Sequence, residues 1–92
     1  MKRKDLEQQY KELGNQLPMQ YPDLNFKNHC YWRIALDQAV GDQWNRHISS
    51  PAYKNLSDQQ LEDVVSHLKS YQQDEKLLDQ HNRDSLKWRG KL

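Results

Sequence analysis

Three groups of residues in this 92-residue chain have the types and spacing to do chemistry. The first is His29-Cys30, one turn ahead of Arg33. A thiol at a helix N-terminus gains thiolate character from the unpaired N–H groups and the helix dipole. A base beside it would make it a nucleophile. His29 is poorly placed for that task, because adjacent helical residues point about 100° apart. His67 or His81 would have to arrive from another helix. The simpler reading makes Cys30 a small, buried, chemically quiet apolar residue.

The second group is Arg33 and Asp37, four residues apart in the most apolar stretch of the chain. Charges on a buried helix are costly unless paired. They are expected to pair with each other, or with charged residues of the first or last helix, and so hold the helices in register. The alternative is a polar pocket around His29, Cys30, Arg33 and Asp37. There the forked donors of Arg33 would bind a carboxylate or phosphate.

The third group lies at the two ends. Lys2, Arg3 and Lys4 open the chain, and Lys87, Trp88, Arg89 and Lys91 close it. Basic residues interleaved with an aromatic can bind single-stranded nucleic acid through backbone contacts and stacking. The same residues can be a helix C-terminus whose cations complement the dipole, with Trp88 docked on the core. If the first and last helices pack together, both basic ends meet in one patch. Asp5, Glu7 and Asp84 beside it limit the expected binding to weak and sequence-independent.

No metal site or cofactor is expected. Histidines 29, 47, 67 and 81 form no i, i+4 pair, and neither H-E-x-x-H nor G-x-x-x-x-G-K-[ST] occurs. Gln72-Gln73-Asp74 has the length of a helix-turn-helix joint. The helix after it begins with Asp74, Glu75 and Asp79, the wrong charge for a helix whose first turns face DNA.

The elements that must carry these residues are helices. Leu6, Tyr10, Leu13 and Leu17 recur at helical spacing, which predicts a first helix from about Lys4 to Leu13 or a little beyond. Gly14-Asn15 reads as its stop, and Pro18 and Pro22 then favour an extended connection over 15–25. Cys30–Val40 is apolar nearly all round, the pattern of a central helix. Asn25 or Asn28 would cap it and Gly41 end it. Asp42 to Ile48 suggests a further turn, and Pro51-Ala52-Tyr53 another. Ser57 to Gln60 is a capping box opening a helix with Leu61, Val64, Val65, Leu68 and Tyr71 on one face. Asp74 caps a last helix running towards Trp88, closed by Gly90. No strand-like alternation or repeat appears, so one all-α, four-helix bundle-like domain with a central buried helix is predicted.

Composition narrows the function. Mean hydropathy is −1.24, yet the chain holds three Trp, five Tyr and one Phe. Disordered chains are poor in aromatics, so a folded domain with a small aromatic core is expected. Net charge is +1, too little for bulk attraction to nucleic acid. A single cysteine allows no internal disulfide. The basic N-terminus is followed by no apolar run, and no stretch approaches the roughly 20 apolar residues of a membrane span. A cytoplasmic protein away from the membrane is the expectation.

The segment Asn28 to Asp37, with Trp44 and the closing Trp88-Arg89-Gly90-Lys91, resembles a group of small bacterial proteins. Most of that group are uncharacterised, and some carry an acetyltransferase label. The common Gcn5-related acetyltransferases need a mixed sheet and a Q/R-x-x-G-x-G/A loop, neither of which is present. The resemblance therefore assigns no catalytic residue and points to an accessory role. The favoured function is a non-enzymatic interaction protein acting through a protein partner or a second copy. A nucleic-acid-associated regulator and a small acyltransferase-like enzyme with a pocket near Arg33 are the alternatives.

Overall fold

The computed structural model describes residues 3–24 and 26–91. Helix α1 spans Arg3–Gln20 and buries Tyr10, Leu13 and Leu17 along one face. It does not stop at Gly14-Asn15, and the extended connection expected over 15–25 is not observed. Gly14 is where the indole of Trp32 crosses the helix: a Cβ there would sit 2.0 Å from Trp32 Nε1. The close approach of a large aromatic outweighs the ~1 kcal/mol helix penalty of glycine. Pro18 lies in the last turns and forfeits a single ladder bond. Leu17 is fully buried and accepts from the Tyr21 N–H at 3.0 Å, which closes the turn beyond it. The Tyr21 hydroxyl donates to the Tyr71 carbonyl at 2.6 Å, and Gln20 donates to the Gln72 carbonyl. Tertiary anchors thus carry the helix seven residues past its sequence stop. One 3-10 turn, Pro22–Leu24, completes the described part of the connection.

Helix α2 spans Asn28–Val40 and buries Tyr31, Ile34, Ala35, Leu36 and Asp37. Its N-cap is Lys27, without a side-chain cap. Asn28, expected as a cap, is its first residue and donates to Asn15 Oδ1 at 2.8 Å. Gly41 ends it at φ 82°, a left-handed conformation that glycine adopts without strain. A 3-10 turn, Trp44–Arg46, and a cis Ser50-Pro51 bond lead into the single-turn α3, Ala52–Asn55. Helix α4, Asp58–Tyr71, opens with the expected capping box of Ser57 and Gln60. Helix α5, Glu75–Trp88, is capped by Asp74, which accepts from the Leu77 N–H at 3.1 Å.

The fold is all-α, with no strand among the described residues. Helices α2 and α4 form the middle: they pack on each other, and both pack on α1 and α5. Tyr31, Ile34, Leu61, Val64, Leu68, Tyr71 and Leu78 meet there without solvent exposure or nearly so. The pairs Tyr10–Trp32 and Asn15–Asn28 show that α1 and α2 run antiparallel. Helices α1 and α5 make no substantial contact, because the central pair separates them. The condition for one joint basic patch, the two terminal helices packed together, is therefore not met.

Candidate functional site

Two arrangements share helix α2. On its side towards α5 lies a buried ionic cluster. Asp37 is fully buried and accepts from Arg89 twice, Nε at 2.7 Å and Nη2 at 3.0 Å. It also accepts from Ser85 Oγ at 2.6 Å and from the Trp44 backbone N–H at 2.9 Å. Arg33 donates to Ser85 Oγ at 2.7 Å and to Asn82 Oδ1 at 2.9 Å. Arg33 and Asp37 therefore meet through Ser85 rather than by pairing with each other. The ion partner of Asp37 is Arg89, just past the end of α5. Arg89 pairs with the carboxylate directly and Arg33 reaches it through Ser85, so the cluster holds two guanidinium groups and one carboxylate. Burial pushes the Arg33 pKa below its ordinary value. Arg89 adds to that shift, while Cys30 and Asp37 oppose it.

On the neighbouring side of α2 an open groove of about 500 Å³ runs between α1, α2 and the 44–53 segment. Helical spacing places His29, Trp32, Arg33 and Leu36 along it. Tyr10 and Lys11 of α1 form the facing wall, with Trp44, Pro51 and Tyr53 at its end. Trp32 stacks on Tyr10 at 5.3 Å between ring centres, and Tyr10 on Tyr53 at 5.6 Å. Lys11 Nζ lies 4.8 Å from the Tyr53 ring centre. Trp32 Nε1 donates to the Tyr10 carbonyl at 2.8 Å, which fixes the ring stack to the α1 backbone. Burial, and then the neighbouring Tyr53, push the Tyr10 phenol well above its usual range. Among the described residues, no Asp or Glu lines this groove.

The candidate residues are thus divided. His29 and Arg33 line the groove; Cys30 and Asp37 do not. Cys30 is partly exposed rather than buried, because it sits in the first turn of α2, where its N–H bonds to the Lys27 carbonyl. His67 and His81 do not line the groove either. They pack edge to face at 5.2 Å between α4 and α5, with His81 Nδ1 2.7 Å from the Tyr71 hydroxyl. Burial lowers the pKa of both histidines.

Of the terminal basic residues, Lys4, Lys87 and Lys91 are exposed and Trp88 is half-buried. Arg3 is engaged by Glu7, Asp58 and the Tyr53 carbonyl, and Arg89 by Asp37. Lys2 lies outside the described residues. No group of three or more metal-ligating side chains occurs among the described residues. None of their helices is long and apolar enough to cross a membrane.

Sequence reasoning missed Ser85 and Asn82 as cluster members, and Tyr10, Lys11, Trp44 and Tyr53 as groove walls. Ser85 carried a usable signal: it stands in the buried stripe Leu78, His81, Ser85 where an apolar residue is ordinary. No protein-family model, curated protein or solved structure matches this chain.

Proposed function

We propose that this chain is a cytoplasmic, non-enzymatic interaction protein that holds a segment of a protein partner in the groove between α1, α2 and the 44–53 segment. One observation carries the reading. Trp32, Trp44 and Tyr53 are half-buried around that groove rather than sunk in the central core. Rigid amphipathic aromatics are the residues enriched at protein interfaces and at their energetic centres. The buried ionic cluster behind them fixes α2 against α5 and so keeps the groove wall in place before a partner arrives. A preformed surface loses less ordering entropy on binding.

The test is affinity purification from the native host with mass spectrometry, after nuclease treatment, using the wild-type chain and Tyr53→Ala. Circular dichroism first establishes that the variant is folded. A partner retained by the wild type and lost by the variant supports the reading. A partner that ignores the substitution, or one released by nuclease, overturns it. A specific doubling of mass in solution identifies a second copy as the partner.

A further inference from the structure

We propose that the occupant of this groove is an acidic, extended peptide segment carrying an apolar or aromatic side chain beside its carboxylates. The inference rests on the groove being a protein-docking site and names what it docks.

Charge complementarity is the first support. Lys11, His29 and Arg33 line the groove, and no acidic residue among the described ones does. Lys54 adds a cation 5.9 Å from the Tyr53 ring centre. Behind the wall, Arg89 pairs with the Asp37 carboxylate directly and Arg33 reaches it only through Ser85 Oγ. The whole chain is only +1, so bulk charge would draw an acidic segment weakly and the lining cations are what would select it. Low-dielectric aromatic walls focus such a field and reject cationic segments.

The ring geometry is the second support. Tyr10 has Trp32 stacked on it, with an interplanar angle of 10°, and Tyr53 also stacked on it. Lys11 lies over the Tyr53 ring. Tyr10 is thus stacked with both neighbours within the protein. Nucleobases bind such proteins by stacking on free aromatic faces, and the Tyr10 ring is already taken by these stacks. Ring edges are the positive pole of the aromatic quadrupole, and they suit carboxylate oxygens. Trp44 and Pro51 supply the apolar surface for a side chain between those carboxylates.

A random dodecapeptide display library, selected on the wild-type protein at physiological salt, tests this. The counter-target is Lys11→Glu/His29→Glu, both exposed positions whose reversal leaves the core untouched. Circular dichroism confirms that the double variant is folded. The expected pool is enriched in Asp and Glu next to an apolar or aromatic residue. Its synthesised members should shift tryptophan emission and lose about tenfold or more in affinity on charge reversal, equivalent to ~1.4 kcal/mol. A neutral or basic pool that still loses affinity to Tyr53→Ala would overturn the acidic occupant while leaving the docking groove standing. No enriched pool at all would also overturn it, and partner capture would then decide the groove by itself. An oligothymidine that displaces the selected peptides at the same salt would overturn it in favour of single-stranded nucleic acid.

Discussion

Arg89→Ala is the substitution that most directly tests whether the ionic cluster is a desolvated structural tie. Asp37 is completely buried and the Arg89 side chain is 18% exposed. The pair is bidentate, at 2.7 and 3.0 Å. Removing one partner of a buried pair costs about 3–5 kcal/mol, because the other charge stays in a poor solvent. Here the cost should fall near the lower end, about 3 kcal/mol. Ser85 and the Trp44 N–H still donate to Asp37, and Arg33 stands one hydroxyl away. Asp37→Ala should cost more, about 4–5 kcal/mol. It takes the acceptor from three donor groups at once, and Ser85 has no solvent to turn to. A 92-residue domain has a total stability of about 5–14 kcal/mol, so Arg89→Ala should fold but melt early, and Asp37→Ala would leave a domain at the low end of that range close to unfolded. The double alanine variant should cost clearly less than the sum of the singles, by about 1 kcal/mol or more. Urea denaturation with a shared m-value gives all three numbers. An Arg89→Ala cost below about 1 kcal/mol, the range of exposed ion pairs, together with additive singles, would refute the desolvated tie.

Three further outcomes follow from the packing. Gly14→Ala should destabilise by about 1–3 kcal/mol despite the better helix propensity of alanine, because the new Cβ meets the rigid Trp32 indole; a stabilised variant in urea denaturation would refute that close approach. Ile34→Ala and Leu36→Ala should each cost about 2–4 kcal/mol and Leu6→Ala less, since Leu6 is only partly buried; a larger loss at Leu6 would move the core. Stability should fall as pH drops from about 6.5 through the folded-state values of His67 and His81. Both are lowered by burial, and for His81 also by His67, against Asp63 and Asp84, so the unfolded chain binds the extra protons in that window. The Tyr71 phenol, pushed up by burial, keeps its proton; its hydroxyl lies 2.7 Å from His81 Nδ1, and a charged imidazole could only donate across that contact. His67→Gln/His81→Gln should flatten this part of the pH profile, and an unchanged slope would refute the assignment.

The helix ends that depend on local chemistry were legible in the sequence. Ser57 with Gln60, Asp74, and the glycines at 41 and 90 each act within one turn, so the residues themselves state the boundary. The end of α1 was not legible, for a matching reason. Gly14 and Pro18 are local stop signals, and they are overridden by contacts from Trp32 and Tyr71, which lie 18 and more than 50 residues further along the chain. No window of sequence around Gly14 contains that information. Asn28 shows the same limit on a smaller scale, since Asn15 takes its side chain away from capping.

The candidate site divides along the same line. That Arg33 and Asp37 need partners follows from burial alone. Which partners they find depends on α5 lying parallel to α2, so that Asn82, Ser85 and Arg89 pass Arg33 and Asp37 in turn. Once that register is known, Arg33 cannot be read as a simple surface anion receptor, because two of its donors already face α5. Its contribution to the groove is the charge that the single carboxylate leaves uncancelled. The anion preference of the groove is therefore a consequence of the structural cluster, and changing the cluster changes the site. Arg89→Ala removes one positive charge and replaces no groove-lining residue. If the field reasoning holds, the acidic peptides should bind this variant more weakly than the wild type at low salt. Equal affinity at physiological and low salt, in a variant shown to be folded, would confine the charge effect to Lys11 and His29.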